Sequence, residues 1–294
     1  MVRYSKLPFR DLIRSYDVDV CFSQMIVADV FKHSEISRAI DWLTNSQDDP
    51  IIVQFGASNS KDIADCAQLV APYCNGVDIN CGCPQKWAIG EGIGSALMRD
   101  AEKVSDMIDQ VKRRTSPLHF PSSTGTGFPC SVKIRVHKDI RQTVEFAQRA
   151  EKAGADWISV HGRTQKQRSS EPPDFDAIRI VKESVSIPVF SNGDCFSLDD
   201  AYSQIESTGC DGIMSARGLQ QNPALFAGYT HTPAKCIKQY LDLALGYGQS
   251  YYITHHHLID MLDKTLSRAE KRHFNSIPGT GALIDYLEDH FQIY

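Results

Sequence analysis

The sequence predicts an α/β protein, a TIM-type (β/α)8 barrel followed by a small helical domain. Three observations support this prediction: seven short β-rich runs alternate with amphipathic segments, several runs are apolar at nearly every position, and polar or glycine residues follow most of them. Alternation at this spacing indicates a parallel sheet covered by helices, and continuous apolar runs are typical of strands buried on both sides. Seven such units favour a barrel, and an open doubly wound sheet is the alternative.

The predicted strands and helices alternate along the chain as far as Ser215. The strands are Val18–Phe22, Ile51–Phe55, Val77–Asn80, Cys130–Val136, Trp157–Val160, Pro188–Ser191 and Gly212–Ser215. The helices between them are Ser60–Ala71, Ala101–Arg113, Arg141–Ala153, Asp174–Glu183 and Leu198–Ser207. A barrel of this kind needs eight strands, and the sequence supplies seven. Because Pro8–Tyr16 already has helical spacing, the absent strand should precede it, and we expect a truncated gene prediction, a shorter isoform or a partial chain.

Only helical spacing remains from about Ala234 onward. The predicted helices of this part are Lys235–Leu245, His256–Leu266 and Ala282–His290. We therefore divide the chain into a barrel over residues 1–230 and a helical domain over residues 234–294. Basic residues in the helical domain recur at roughly helical spacing and predict one basic face. They are Lys264, Arg268, Lys271 and Arg272.

The composition indicates a soluble globular protein, since 42% of the residues are hydrophobic and 23% are charged. No apolar run approaches the roughly 18 residues that cross a bilayer, and the start of the chain lacks the apolar core of a secretory signal. The nine cysteines form no Cys-x-x-Cys pair, so we expect a reducing compartment, cytoplasm or nucleus, and no metal site. The net charge of −5 argues against a general nucleic-acid binder but allows a local basic patch.

Polar residues and glycines cluster directly after six of the predicted strands. In a (β/α) barrel these positions share one mouth, where catalytic groups gather. Glycine turns after the last two strands are typical of the phosphate site of barrels, with Arg217 as a charged partner. Two members of these clusters also have an interpretation without function. Lys133 could be a solvated lysine at the end of a strand, and His161 could be a structural histidine. The clusters are Gln54–Gly56, Asn80–Cys83, Lys133–Arg135, His161–Arg163, Asn192–Asp194 and Ala216–Gly218.

The most specific stretch is Val77-Asp-Ile-Asn-Cys-Gly-Cys-Pro84, followed by Gln85-Lys86 and then by Gly94-Ser95. It resembles the signature of the tRNA-dihydrouridine synthase family, Asn-x-Gly-Cys-Pro after a strand with a Gly-Ser pair some ten residues later. The resemblance includes the other five clusters and extends over essentially the whole chain. The Cys-Gly-Cys-Pro-Gln-Lys sequence and the tail from His255 to Arg272 are most similar to the eukaryotic branch named for D-loop uridines 20a and 20b.

The resemblance implies reduction of a tRNA uridine to 5,6-dihydrouridine, with hydride from NADPH through FMN and a proton from Cys83 as the catalytic residue. A thiol with the ordinary pKa of about 8.5 is mostly protonated at neutral pH and can serve as this acid. The alternative is a buried structural cysteine before a proline turn. Cys81, which the signature leaves free, is predicted to pack in the core, and Cys-x-Cys spacing does not favour a zinc pair.

The resemblance also implies which residues bind the cofactor and the substrate. The cofactor-binding residues are Met1, Gln54, Lys133, His161, Asn192, Gly193, Asp194, Ala216 and Arg217. The substrate-binding residues are Asn80, Lys86 and Arg163, of which Asn80 contacts the uracil edge and Arg163 the target base. The expected partner is tRNA, held by the basic loop Arg163–Arg168 and by the helical domain. We expect a monomer without a membrane or metal partner.

Two other functions are compatible with the sequence. A flavin barrel could reduce a free pyrimidine or an enone, although such an enzyme does not require a helical domain that holds RNA. The chain could also bind tRNA without catalysis, having lost its flavin. Absorption at about 450 nm, typical of oxidised flavin, would separate this last function from the two enzymes.

Overall fold

The computed structural model describes residues 2–116 and 127–293, and its strands form one parallel sheet. The strands are β1 Cys21–Phe22, β2 Ile26–Val27, β3 Ile51–Gly56, β4 Gly76–Asn80, β5 Cys130–Arg135, β6 Ile158–His161, β7 Val189–Asn192 and β8 Gly212–Met214. Both β1 and β2 pair with β3, at successive positions along it, so they are two parts of one interrupted strand. The sheet therefore has seven strand positions, which follow the order of the chain.

The sheet is a barrel wall with one side open. From β3 to β8 every strand pairs in parallel with the next one along the chain, and no pairing joins β8 to β1 in the part of the chain that the structure describes. The predicted (β/α) barrel with one strand fewer than eight is confirmed. The first strand is shorter than predicted: residues 18–20 lie outside it, and pairing with β3 begins only at Cys21.

The helices cover the outside of the sheet and continue into the C-terminal tail. They are α1 Leu7–Arg14, α2 Ala28–His33, α3 Glu35–Asp41, α4 Ser60–Val70, α5 Lys86–Gly90, α6 Ala101–Thr115, α7 Ile140–Lys152, α8 Phe175–Ser184, α9 Leu198–Thr208, α10 Arg217–Gln221, α11 Ala234–Gly246, α12 Tyr251–Leu262, α13 Arg268–Asn275 and α14 Thr280–Phe291. The five helices that cross over between strands, α4 and α6–α9, each begin after an Asn, Asp or Ser whose side chain accepts a backbone N–H of the first turn. Within the described residues, no helix is long and apolar enough to cross a membrane.

The predicted helix His256–Leu266 is wrong in its bounds, since α12 begins at Tyr251 and ends at Leu262. A new helix, α13, follows because Ser267 and Glu270 form a capping box, each side chain accepting the backbone N–H of the other residue. Lys264 therefore lies in the turn between two helices. The four predicted basic residues therefore do not share one helix: three lie on α13, and one of these, Lys271, pairs with Asp263 at 2.7 Å.

Two apolar clusters hold the molecule together. One lies between the sheet and the helices on its outer face, from α2 through α8. The other joins α11–α14 to α1 and α10, and includes Phe9, Leu219, Tyr240 and Leu283. The helical tail therefore packs on the helices that flank the open side of the barrel.

An ion pair also stabilises the N-terminal region, where buried Arg10 of α1 pairs with buried Asp48 at 2.6 Å.

Candidate active site

The predicted site residues meet at the carboxyl ends of the strands, as expected for parallel strands that share one mouth. A cavity of about 660 Å³ occupies this mouth and extends along the open side of the barrel. A smaller pocket of about 70 Å³ shares His161, Asn192 and Ala216 with it. The predicted residues in the large cavity are Gln54, Asn80, Cys83, Lys133, His161, Asn192 and Ala216. Those that line only the small pocket are Gly193, Asp194 and Arg217.

The loop after β4 presents Cys83 to the large cavity. The Asn80 side-chain oxygen accepts the backbone N–H groups of Gly82 at 3.1 Å and Cys83 at 2.9 Å, which turns the chain back over the strand end. Gly94 packs directly against this loop: a Cβ there would lie 2.7 Å from the Cys83 carbonyl oxygen, and its φ is +64°. Ser95 N–H donates to the same oxygen at 2.9 Å. Gly94 and Ser95 thus hold the backbone of Cys83 in place, the first by close packing and the second by a hydrogen bond.

Cys83 differs from the other eight cysteines in its surroundings. Seven of the nine are buried, and only Cys74 and Cys83 are partly exposed. Cys21 also lines the cavity, but burial raises its pKa to about 12. Cys81 packs in the apolar core as predicted, and burial raises its pKa well above the ordinary range. Cys83 is therefore the one thiol of the described chain that lines the cavity and is also accessible from it. No group of three potential metal ligands occurs in the same residues.

Lys133 and Asn192 form a hydrogen-bonded pair across the mouth. Lys133 Nζ donates to Asn192 Oδ1 at 2.8 Å, and Asn192 Nδ2 donates to the Met214 carbonyl at 2.6 Å. Burial, with the Arg135 charge adding to it, lowers the pKa of Lys133 to about 8. Burial and the surrounding cations, Lys133 foremost, lower the pKa of His161 to about 2. The site thus contains a cation of reduced basicity beside a neutral imidazole.

Arg163 was predicted to face the substrate, and the structure turns it away. The residue is 1% exposed and lines neither cavity. Its guanidinium pairs with the Asp194 carboxylate and donates to the carbonyls of Ser169 and Glu171. Asp194 also pairs with Arg217, so one carboxylate at the small pocket holds two arginines. These bonds hold Arg163 outside both cavities, and its Nη1 lies 3.3 Å from Nε2 of His161, which lines both of them.

Arg135 lines the large cavity in its place, and sequence reasoning gave it no role. Its Nε donates to the Gly82 carbonyl at 2.8 Å and its Nη1 to the Thr164 carbonyl at 2.9 Å. It therefore connects the Cys83 loop to the loop after β6. A signal was present: Lys133 and Arg135 alternate on β5, and residues two apart on a strand share a face.

The rim of the mouth is basic and aromatic. Lys86 begins α5 directly after the Cys83 loop and is exposed, as is its neighbour Trp87 at 45%. On the other side, Gln165 Nε2 donates to Ser95 Oγ at 2.9 Å. This bond brings the loop that contains exposed Lys166 and Arg168 next to the Cys83 loop. Lys86 is thus a rim residue and does not line the cavity. Met1, a predicted cofactor contact, lies outside the described residues.

Comparisons with known proteins agree on one family. The model of the family described as dihydrouridine synthase matches residues 1–278. The chain is 48% identical over 293 residues to a Homo sapiens protein named tRNA-dihydrouridine(20a/20b) synthase [NAD(P)+]-like, covering 100% of this chain and 90% of that protein. It is 44% identical over 295 residues to the Schizosaccharomyces pombe tRNA-dihydrouridine(20a/20b) synthase [NAD(P)+], covering 100% and 86%. Among solved structures, a variant of NCR from Zymomonas mobilis has a TM-score of 0.51 at 14% identity, covering 74% of this chain and 78% of that one, and so shares the fold.

Proposed function

Because the chain belongs to the dihydrouridine synthase family, we propose that it reduces uridine in the D-loop of tRNA, at position 20a or 20b, to 5,6-dihydrouridine. The observation that supports this proposal most is the placement of Cys83, a partly exposed thiol that lines the same cavity as Lys133 and a neutral His161. The position follows the names of the relatives, which specify 20a/20b and NAD(P)+. NADPH is the proposed reductant.

The residues at the mouth suit FMN as the cofactor. The large cavity, about 660 Å³, is in the range of cofactor sites and mostly apolar, with a few polar groups at its wall. The adjoining pocket has the donors that a phosphate needs, Arg217 and the backbone around Gly193. Gly218 keeps this pocket tight, because a Cβ there would lie 2.0 Å from the Cys195 carbonyl oxygen.

Each group of the chain has a separate task in the proposed reaction. Reduced flavin, when bound, supplies a hydride to one carbon of the uracil C5–C6 bond. Cys83 Sγ–H donates the proton to the other carbon, as a general acid positioned by its loop. Lys133, held by Asn192 at 2.8 Å, places positive charge where the reduced cofactor is anionic. Gln54 provides an amide for hydrogen bonds to the cofactor ring.

The proposed substrate contact is the rim. Lys86, Lys166 and Arg168 are exposed around the mouth, and in the described residues none of these side chains is placed in an ion pair. Positive charges of this kind neutralise phosphates, and an exposed tryptophan such as Trp87 stacks on unpaired bases. Arg135, at the cavity wall beside the Cys83 loop, is available to the base that enters. The helical tail α11–α14 is the proposed second contact for the folded tRNA.

The direct test is dihydrouridine in tRNA from cells that lack the gene, complemented with the wild-type gene or with Cys83→Ala. We expect D-loop residues 20a and 20b to be unreduced uridines in the deletion, each lighter by two hydrogens than dihydrouridine. Only the wild-type gene should restore the dihydrouridine mass. Cys74→Ala is the matched control, because Cys74 is the other partly exposed cysteine and does not line the cavity.

Three results would each contradict a part of the proposal. Unchanged dihydrouridine in the deletion would remove the tRNA assignment and favour the binding-only function. Full complementation by Cys83→Ala would leave tRNA as the substrate but would show that Cys83 is not the required proton donor. Purified protein without the absorption of oxidised flavin at about 450 nm would argue against the cofactor.

A further inference from the structure

Asp78 is a fully buried carboxylate inside the barrel that the proposed chemistry does not use. It lies on β4, two residues before Asn80, and lines neither cavity. Its Oδ2 accepts Gln54 Nε2 at 2.8 Å, and its Oδ1 accepts Ser131 Oγ at 2.7 Å. Burial raises the pKa of Asp78 to about 6 despite these two bonds. A buried carboxylate is costly, so its position needs a reason.

The bonds of Asp78 continue in a chain to the catalytic loop. Gln54 Oε1 accepts Asn80 Nδ2 at 2.8 Å. Asn80 Oδ1 in turn accepts the backbone N–H groups of Gly82 at 3.1 Å and Cys83 at 2.9 Å. Four consecutive hydrogen-bonded groups thus connect the floor of the barrel to the loop at its mouth, and the three side chains concerned are all buried.

The direction of this chain is set at both ends, because the carboxylate only accepts and the two backbone N–H groups of the loop only donate. An ionised carboxylate only accepts, so the NH2 group of Gln54 must face Asp78 and its oxygen must face Asn80. The NH2 group of Asn80 must then face Gln54, which leaves the Asn80 oxygen for the two backbone donors. A neutral amide at either position could otherwise rotate by half a turn, and a rotated Asn80 would present its donors to the N–H groups of the loop.

We infer that Asp78 is a positioning residue, which fixes the amide orientation of Gln54 and Asn80 and through them the backbone of the Cys83 loop. The inference rests on the proposed function only in the use that this function gives to Cys83. It predicts that the geometry of the loop depends on an acceptor at position 78, whether or not tRNA is the substrate. It also predicts that the charge of that acceptor is dispensable.

The variants separate these requirements. Asp78→Leu has nearly the shape of aspartate and removes the acceptor for Gln54. Asp78→Asn retains it, because the amide oxygen can accept from Gln54 while the amide nitrogen donates to the Ser131 hydroxyl, which can accept as well as donate. Ser131→Ala perturbs the same buried place but leaves the bond between Asp78 and Gln54 intact.

The readout is the alkylation rate of Cys83 by iodoacetamide in the ligand-free protein, in a Cys74→Ser background so that Cys83 is the single partly exposed thiol. We expect Asp78→Leu to react about tenfold faster than the parent, because a buried amide without its acceptor destabilises the closed loop. Asp78→Asn and Ser131→Ala should stay within about twofold of the parent. Single-turnover uridine reduction should show the reverse order, with Asp78→Leu the slowest and the other two variants close to the parent.

An equal alkylation rate in folded Asp78→Leu and the parent would overturn the inference, as would Asp78→Asn reacting as fast as Asp78→Leu. Should Asp78→Leu fail to fold, the double variant Asp78→Leu/Gln54→Met replaces both buried partners with apolar side chains. It leaves Asn80 and the Ser131 hydroxyl without their partners, and Ser131→Ala is the control for the second loss. The alkylation rate of the double variant should also rise about tenfold, since the loop again loses its orienting bond. Because alkylation is measured without tRNA or cofactor, it decides the role of Asp78 even if Cys83→Ala proves active in cells.

Discussion

Buried His257 predicts that the packing of the helical tail on the barrel weakens in acid. This residue of α12 stacks on Phe9 of α1 with ring centroids 4.4 Å apart, and the rings of Tyr4 and Tyr240 lie at 5.3 Å and 5.1 Å. Neither of its ring nitrogens has a hydrogen-bond partner within the described chain. Burial, with the neighbouring His256 adding to it, lowers the pKa of His257 to about 3.

The magnitude follows from proton linkage. Histidine in the unfolded chain has a pKa of about 6.5, so below that pH the unfolded state of this protein takes up a proton that native His257 excludes. The free energy of unfolding therefore falls as the pH drops from about 6.5 toward the native pKa of about 3. Between pH 7 and pH 5, the loss from His257 alone is about 2 kcal/mol. His255 acts in the same direction, since burial lowers its pKa too.

The assay is urea unfolding at pH 7 and pH 5 for the wild type and for His257→Phe, which keeps an aromatic ring against Phe9. We expect the variant to gain about 2 kcal/mol over the wild type when the pH falls from 7 to 5, because phenylalanine takes up no proton in either state. Exposed His231→Phe is the control and should show no such change. If the difference between His257→Phe and the wild type is the same at both pH values, the reasoning is refuted.

Three further predictions concern the site. Gly94→Ala should lower kcat for uridine reduction by roughly tenfold to a hundredfold without changing the Kd for tRNA, since the new Cβ displaces Cys83. The control is Gly92→Ala, because Gly92 has a similar positive φ but its added Cβ would make only ordinary van der Waals contact. Trp87→Ala should weaken tRNA binding roughly tenfold by filter assay, a cost in the range of one stacked base, and Trp87→Phe should restore it. The affinity for FMN should fall above about pH 8 as Lys133 loses its proton, and Lys133→Arg, charged throughout, should abolish this pH dependence in a fluorescence titration.

The strands were predictable because most of them are buried on both faces. A run as short as Ile51–Phe55, apolar except for Gln54, fits a buried strand better than a helix, and the observed strand differs from that range by one residue. The two-residue strand β2, Ile26–Val27, has no such run. Helix α3, Glu35–Asp41, buries none of its residues, so it has no apolar face for periodicity to detect. Prediction failed where an element packs little or pairs briefly.

The sequence predicted which residues lie at the mouth of the barrel better than it predicted where their side chains point. The ends of parallel strands must meet at one mouth, so the order of strands in the sequence is enough to bring Cys83 and Lys133 together. The direction of a side chain depends on partners distant in sequence: Arg163 turns away because Asp194 and two carbonyls satisfy it. The sequence pattern did not indicate that Asp78 would connect to the Cys83 loop through two amides. Those bonds exist only once β3 and β4 are in register.

The electrostatics of the mouth favour Cys83 over His161 as the acid. Burial comes first among the causes that lower the pKa of His161 to about 2, and the charges of Lys133, Arg135, Arg163 and Arg217 follow. A bound anion would raise this pKa, but restoring the ordinary value of about 6.5 requires roughly 6 kcal/mol of favourable interaction with the imidazolium. Lys133 donates to Asn192 at 2.8 Å, and the proposed function assigns its charge to the bound cofactor. His161 is therefore a neutral hydrogen-bonding group, which supports the proposal that Cys83 supplies the proton.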